Sequence, residues 1–258
     1  MKYISYLEIA NHLPINRGDV LFVSSDMVRL ALEAHKHKEK LDVNKFIDTF
    51  IEKIGTEGTL IFPTYNWDFC KGEAFDYEKT SCKTGSLGTT ALRRSDFQRT
   101  QHPIYSFAVW GKDKELLVNM DNRSSFGQDS PFAYLHHKKA KNLQIDVECN
   151  DCFTFVHYVQ EMSDVRDCRY MKLFTAPYID SEGKSTIQTY SMLVRDLDLD
   201  VQNDLVPIGM EMEKLGIAQK TVLNEIPFTV VDMDAAFDLV MQDVKENRSR
   251  KICKFIGQ

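Results

Sequence analysis

The segment Gly18-Asp19-Val20-Leu21-Phe22-Val23-Ser24-Ser25-Asp26 joins a buried strand to the start of a helix. Its four consecutive apolar residues, 20–23, are typical of a strand that is covered on both faces. The polar residues that follow are favourable helix caps, and the helical pattern of Met27 to Ala34 comes next. Such a junction presents backbone N–H groups at the carboxyl end of a strand, where α/β proteins commonly bind ligands. Ser24 and Ser25 are therefore candidate binding residues, and a plain capping role is the alternative for either one.

The same pattern occurs a second time along the chain. An amphipathic helical segment from Leu41 to Ile54 is followed by a second apolar run, Thr59-Leu60-Ile61-Phe62. Strand, helix and strand in this order predict a parallel pair with a crossover, and alternation in residues 169–174 and 186–195 predicts an antiparallel hairpin. We therefore expect an α/β fold, a three-layer α/β/α arrangement with a mixed, mainly parallel central sheet and a C-terminal antiparallel extension. One domain should span residues 1–258.

Composition and charge restrict the class of protein. The 258 residues are 43% hydrophobic and 27% charged, with a net charge of −6, so no nucleic acid or anionic membrane is expected as a partner. No stretch approaches the roughly 20 apolar residues of a membrane span, and residues Met1 to Glu8 lack the features of a secretory signal. We expect a cytoplasmic protein whose six cysteines stay reduced.

The most informative polar pattern is Asp151-Cys152-Phe153-Thr154-Phe155-Val156-His157-Tyr158-Val159-Gln160-Glu161. Read as one helix, this stretch places four polar side chains on one stripe: Asp151, Thr154, His157 and Glu161. Residues three and four apart lie on the same helical face, and the opposite face here is apolar. The pattern predicts the wall of a polar pocket, and an amphipathic helix with a mixed outer face is the alternative.

An aromatic and acidic loop, residues 65–85, follows the second predicted strand. A long loop at a strand end is a candidate binding lid, and an ordinary surface excursion is the alternative. The aromatic residues Tyr65 and Trp67 suit stacking against a sugar, whereas Asp68 suits a cationic ligand.

Five segments resemble, in order and approximate spacing, the aminoglycoside 3-N-acetyltransferase family, whose fold is not that of the GNAT enzymes. They are Gly18-Asp19-Val20-Leu21 to Ser24-Ser25, Gly58-Thr59-Leu60 to Pro63-Thr64, His102-Pro103 to Ser106-Phe107-Ala108 with Gly111-Lys112, Gly127 to Ser130-Pro131, and Thr154 to His157. The resemblance implies acetyl-CoA as the donor, a small-molecule amine as the acceptor, and catalysis by the Thr-x-x-His motif, here Thr154 and His157. The family usually has a glutamate three residues after this histidine, whereas this chain has Gln160 there and Glu161 one position later.

The chemistry of amine acetylation assigns roles to these residues. An ammonium group must lose a proton before its nitrogen can attack a thioester, so the site needs a base that titrates near neutrality, and His157 is the candidate. Thr154, one turn earlier, is the candidate donor to the developing oxyanion. Asp151 is the candidate carboxylate that orients the imidazole. Because one residue turns a helix by roughly 100°, the role of the family's glutamate does not transfer directly to Glu161.

The resemblance also implies the ligand contacts. The positions that correspond to coenzyme contacts are Ser24, Ser25, His102, Pro103, Ser106, Gly127 and Ser130. The candidate acceptor-binding residues are Tyr65, Trp67, Asp68 and Glu161. Residues 102–111 and 169–174 look closer to the carbohydrate branch of the family, so we expect an amino sugar in surface-carbohydrate biosynthesis. An aminoglycoside acceptor, with antibiotic resistance as the outcome, is the alternative, and the sequence leaves a homodimer open.

A second class of function starts from Cys149-Asn150-Asp151-Cys152, a C-x-x-C motif. This motif is found in redox proteins and in half of a zinc site, and His157 could activate Cys152 as an acyl-accepting nucleophile. No second Cys/His pair at zinc-site spacing is present in the sequence, so we expect no metal. A non-catalytic relative is the third alternative, because Gln160 replaces the family's glutamate.

Overall fold

The computed structural model describes residues 3–256. Residues 1–2 and 257–258 lie outside this range. They are the two ends of the predicted domain, and residues 1–2 also belong to the segment Met1 to Glu8 that was considered as a secretory signal.

The described residues form twelve strands: β1 (Val20–Ser25), β2 (Thr59–Pro63), β3 (Phe75–Asp76), β4 (Gln98–Arg99), β5 (Phe107–Gly111), β6 (Lys141–Ile145), β7 (Arg169–Ile179), β8 (Ser185–Arg195), β9 (Val201–Asn203), β10 (Ala218–Leu223), β11 (Ile226–Asp232) and β12 (Cys253–Phe255). They also form nine α-helices: α1 (Val28–Lys36), α2 (Val43–Ile54), α3 (Ser86–Ala91), α4 (Lys114–Val118), α5 (Pro131–His137), α6 (Cys149–Cys152), α7 (Phe155–Met162), α8 (Val206–Lys214) and α9 (Met233–Asn247). None of the helices in residues 3–256 is both long enough and apolar enough to cross a bilayer.

The central sheet has seven strands in the order β10-β11-β6-β1-β2-β5-β4. β1 pairs in parallel with β2 and β6, whereas the other neighbouring pairs are antiparallel. The predicted mixed sheet is confirmed, but its parallel strands are confined to the centre instead of forming the majority. One reason is the hairpin of β10 and β11, in which β11 pairs antiparallel with β6 and β10 pairs antiparallel with β11.

The predicted antiparallel hairpin forms a separate sheet. β7 and β8 pair along their eleven residues, from Arg169 opposite Arg195 to Ile179 opposite Ser185. β3, which lies inside the aromatic and acidic loop, pairs in parallel with β7 and fastens this loop to the hairpin. A two-stranded sheet of β9 and β12 completes the antiparallel part of the fold.

Alternate side chains of β1 enter two different cores. Leu21 and Val23 pack in a core with α1 and α2, whereas Phe22 packs on the other face with α5, α7 and α9. Because helices cover both faces of the sheet, residues 20–23 of β1 and 60–62 of β2 are apolar without interruption. The predicted three-layer α/β/α class is therefore confirmed.

The stretch 151–161 is not one helix. α6 ends at Cys152, Phe153 adopts φ −85° and ψ 60°, and α7 begins at Phe155. Both phenylalanine side chains are buried in the same core. Residues two apart on a continuous helix point in different directions, so the break lets both rings reach that core. Asp151 and His157 therefore belong to different helices, and the single predicted stripe is wrong.

Candidate active site

The carboxyl ends of the parallel strands lie at one edge of the central sheet. β1 ends at Ser25, and β2 ends at Pro63, just before Tyr65. β6 ends at Ile145 and leads directly into α6 and α7, which carry the Thr-x-x-His motif. The fold therefore brings together, at this edge, segments that are more than 100 residues apart in the sequence.

His157 lines a small open cavity of about 120 Å³ together with Asp151 and Thr154. The structure thus brings the three predicted catalytic residues to one cavity, although two helices supply them. The ring of Phe126 contacts the imidazole, with the ring centroids 5.4 Å apart. Burial, together with the positive charge of Arg169, lowers the pKa of His157 to about 3, below the near-neutral pKa expected from the sequence. The imidazole is therefore neutral at pH 7, the form that can accept a proton.

Gln160, and not Asp151, contacts the imidazole. Gln160 Oε1 lies 3.1 Å from His157 Nδ1. The side chain of Asp151 is exposed and lies 3.5 Å from the amide nitrogen of Asn150. The orienting role of Asp151 stays a prediction, because the side-chain amide of Gln160, and not a carboxylate, contacts His157 Nδ1 in this structure.

Glu161 contacts a different part of the protein. Ser124 Oγ donates to its Oε1 at 2.5 Å, and its buried Oε2 has no hydrogen-bond partner among residues 3–256. Burial raises the pKa of Glu161. Glu161 thus faces the loop before α5, in keeping with the expectation that it does not simply replace the family's glutamate.

Among the predicted coenzyme contacts, Ser25 lines an apolar groove of about 700 Å³ between α1 and the start of α3. Pro103 lies in the wall of a separate polar pocket of about 480 Å³, next to the aromatic and acidic loop. The remaining predicted residues are all buried: Ser24, His102, Ser106, Gly127 and Ser130.

These buried residues organise the loops around the site. The backbone N–H groups of Ile104 and Tyr105 donate to His102 Nδ1 at 3.2 and 3.1 Å, and burial lowers the pKa of His102 to about 3. Ser106 Oγ lies 2.8 Å from the hydroxyl of Thr64. Ser130 caps α5 by accepting from the backbone of Ala133. In this structure the three side chains are engaged by protein atoms, which favours a positioning role.

The candidate acceptor-binding residues differ in exposure. Tyr65 is 4% exposed and packs against Tyr105, and its buried hydroxyl has no hydrogen-bond partner in the part of the chain that the structure describes. Trp67 is 38% exposed, so its ring is accessible for stacking. Asp68 forms salt bridges with Lys71 and Lys83. The aromatic surface predicted from the sequence thus reduces to Trp67, and the charge of Asp68 is already compensated.

The C-x-x-C motif has the properties of structural cysteines. Burial raises the pKa of Cys149 to about 12 and also raises that of Cys152. Both thiols are therefore protonated at neutral pH, and a thiol is a much weaker nucleophile than a thiolate. In residues 3–256, no three side chains of the His, Cys, Asp or Glu type come together as a metal site.

Sequence reasoning missed the surroundings of Gln160. Arg169 is 8% exposed, its guanidinium donates to Asn203 Oδ1 at 2.6 Å, and its charge acts on His157. Cys168 and Cys253 lie beside Gln160, although they are 85 positions apart in the sequence. No local motif could have indicated this cluster, because tertiary contacts alone assemble it.

Comparison with known proteins identifies the family. Residues 27–245 match the sequence model described as aminoglycoside 3-N-acetyltransferase. The SPβ prophage-derived aminoglycoside N(3′)-acetyltransferase-like protein YokD of Bacillus subtilis (strain 168) is 25% identical, over 43% of this chain and 50% of that protein. The chain thus matches about half the length of this relative.

Solved structures share the fold. Aminoglycoside acetyltransferase AAC(3)-Xa superposes with a TM-score of 0.78 and 17% identity, covering 95% of this chain and 93% of its own. AAC-IIIb in a binary complex with CoASH gives a TM-score of 0.77 and 16% identity, and the match covers 95% of this chain and 98% of AAC-IIIb. AAC-VIa bound to sisomicin gives a TM-score of 0.74 and 16% identity, and the match covers 95% of this chain and 99% of AAC-VIa. At these identities the superpositions show the fold alone. The match over residues 27–245 confirms the resemblance seen in the sequence: the chain belongs to the aminoglycoside 3-N-acetyltransferase family.

Proposed function

We propose that this protein transfers an acetyl group from acetyl-CoA to an amino group of an aminoglycoside, with His157 as the general base. The observation that carries this proposal is the neutral His157 imidazole in an open cavity beside Thr154 and Asp151. Family membership and the sisomicin complex of AAC-VIa support an aminoglycoside acceptor over the amino sugar expected from the sequence. Acetylation converts an ammonium into a neutral amide, so the physiological outcome would be antibiotic resistance.

The chain's own residues supply the proton transfers. His157 takes a proton from the bound ammonium, which frees the nitrogen lone pair for attack on the thioester carbonyl carbon. Thr154 donates to the oxygen on which negative charge develops. When the C–S bond breaks, the imidazolium returns its proton to the leaving CoA sulfur, and the nitrogen of the new amide releases its second surplus proton to water. Acetyl-CoA supplies the acetyl group, and no protein atom becomes acylated.

We propose that acetyl-CoA binds in the apolar groove beside Ser25. The volume of this groove, about 700 Å³, falls within the roughly 300–1,000 Å³ that is typical of small-molecule sites. Its lining, which includes Ala31 and Leu41, suits the pantetheine arm. The groove lies at the carboxyl end of β1, where α/β folds commonly bind ligands.

A release assay for CoA tests the proposed acceptor. Purified protein and acetyl-CoA are combined with aminoglycosides, free amino sugars or nucleotide-linked amino sugars, and kcat/KM is measured for each. The proposal expects an aminoglycoside such as sisomicin to exceed every sugar. A sugar or a nucleotide-linked sugar that exceeds every aminoglycoside would contradict it.

A second candidate function is N-acetylation of an amino sugar. The exposed ring of Trp67 suits stacking against a sugar. The salt bridges of Asp68 with Lys71 and Lys83 reduce the attraction of this loop for a polycationic drug. The same release assay separates the two candidates.

We also propose that residues 1–258 form one domain and that the protein acts in the cytoplasm. The proposed reaction consumes acetyl-CoA, which supports this location.

A further inference from the structure

Gln160 connects the candidate base to a pair of thiols. Its side chain is 4% exposed, and its Oε1 lies 3.1 Å from His157 Nδ1. Its Nε2 lies 3.7 Å from the sulfur of Cys168 and 4.0 Å from the sulfur of Cys253. The two sulfurs are 3.3 Å apart, and both cysteines are buried. One buried amide thus touches the imidazole at one end and two thiols at the other.

The thiols determine which way the amide faces. A glutamine has an acceptor end and a donor end, and a buried amide needs a partner for each. The hydrogen bond between Cys253 and Cys168 and the positive charge of Arg169 lower the pKa of Cys168. Gln160 Nε2 lies 3.7 Å from the sulfur of Cys168, which is a weak acceptor for this donor end of the amide. The acceptor end, Oε1, is left for the imidazole.

The orientation of the amide determines the tautomer of the imidazole. Oε1 can only accept a hydrogen bond, so His157 Nδ1 must carry the proton. Nε2 then keeps its lone pair, as a general base requires. Building on the proposed function, we propose that Gln160 is a positioning residue that fixes this tautomer, and that the Cys168–Cys253 thiol pair holds Gln160 in the required orientation.

A neutral amide in this position has a consequence for the pH dependence. The charged and titratable groups around the imidazole are Arg169 on β7, and Asp151 and Cys152 on α6. Gln160 adds no negative charge to stabilise the imidazolium. Gln160→Glu keeps an acceptor and adds that charge, so it should raise the pKa of His157. The low-pH limb of the kcat/KM profile should then move to higher pH.

The first test compares Gln160→Leu with Gln144→Leu. Gln144 is also a buried amide, 3% exposed, and it donates to Asn142 Oδ1 on the central sheet. Gln160→Leu should lower kcat roughly 10- to 100-fold with little change in KM, because tautomer and ring orientation are lost. Gln144→Leu should change the melting temperature but not kcat. Unchanged kcat in Gln160→Leu, or equal losses in both variants, would overturn the proposal.

The second test reads the tautomers directly by 15N NMR of histidine-labelled protein. His102 accepts at Nδ1 and faces Ser125 Oγ with Nε2, so it should carry its proton on Nε2. His157 should show the opposite tautomer, with its proton on Nδ1. A proton on Nε2 of His157 in the wild type would overturn the proposal.

The third test concerns the thiol pair. Changing Cys168 and Cys253 together to alanine should lower kcat and mix the tautomers of His157. Changing both to serine should restore kcat, because hydroxyl groups keep the hydrogen-bonding partners of Gln160. Equal kcat in the alanine variant and the wild type would contradict this part. Failure of the proposed function gives a different result, because His157→Ala would then retain activity whatever the Gln160 variants do.

Discussion

His102 and His157 show how position decides the role of one residue type. His102 is 1% exposed, and both of its ring nitrogens face protein atoms. His157 is partly buried and lines a cavity, with Nδ1 against Gln160. Burial lowers the pKa of each to about 3. A low pKa alone therefore does not mark the base, and the open cavity distinguishes His157 from His102.

Acid should destabilise this protein through these histidines. Their folded pKa of about 3 lies below the value of about 6.5 in an unfolded chain. The unfolded state therefore binds protons first, and stability that is complete above about pH 6.5 is lost as the pH falls towards 3. Each histidine adds a slope of roughly 1.4 kcal/mol per pH unit in that window.

Urea unfolding at pH 7, 6 and 5 measures the contribution of His102. His102→Asn should reduce the slope of unfolding free energy against pH, whereas His35→Asn, at an exposed position, should not. Parallel slopes in wild type and His102→Asn would contradict the assignment of His102 as a buried neutral ring.

The cysteines of the C-x-x-C motif should be dispensable for catalysis. Burial keeps both thiols protonated, so neither supplies a ready nucleophile. The double variant Cys149→Ser with Cys152→Ser should retain most acetyl transfer in the CoA-release assay. Loss of transfer, together with an acyl adduct on wild-type protein in mass spectra, would favour the acyl-cysteine route.

At the scale of elements, sequence patterns predicted the positions of individual helices. The predicted helical segments Met27 to Ala34 and Leu41 to Ile54 correspond to α1 (Val28–Lys36) and α2 (Val43–Ile54). The break between α6 and α7 could not be predicted, because periodicity does not show that Phe153 and Phe155 share one core. The turn between β10 and β11 was missed because its second residue, Glu225, is unusual at positive φ.

This turn offers a stability test. Asn224 and Glu225 have φ values of 50° and 64° in the two-residue connection between β10 and β11. Such a turn prefers glycine at its second position. Glu225→Gly should therefore raise the free energy of unfolding in urea by about 0.5–1 kcal/mol. This is the left-handed strain that glycine relieves minus the conformational entropy that glycine loses on folding. Gln219→Gly, within β10, should destabilise it, and destabilisation by Glu225→Gly would contradict the turn geometry.

At the scale of the whole molecule, the site depends on contacts that no sequence window contains. The order of the family's segments predicted that Ser25, His102 and His157 belong to one site. It could not show that His102 is enclosed or that Ser25 is open, because burial depends on how layers pack. The thiol pair beside Gln160 forms only when β12 pairs with β9, because β12 carries Cys253. Cys253, which is close to the end of the sequence, thereby contacts Gln160 on α7.

The proposed donor groove can be tested by filling it. Ala31 on α1 lines the groove, and its neighbour Leu32 is 57% exposed. Ala31→Phe should raise KM for acetyl-CoA at least about tenfold, equivalent to roughly 1.4 kcal/mol, with little change in KM for the acceptor. Leu32→Phe should leave both constants unchanged. An unaltered KM for acetyl-CoA in Ala31→Phe would place the donor elsewhere.

The most direct test of the central claim is the rate of CoA release by His157→Ala with a saturating aminoglycoside. The matched control is His137→Ala, which alters an exposed histidine at the end of α5. Removal of the base should lower kcat at least about 100-fold. The kcat of His137→Ala and the melting temperatures of both variants should stay close to the wild-type values. A folded His157→Ala protein that transfers acetyl groups at the wild-type rate would contradict general-base catalysis by this histidine.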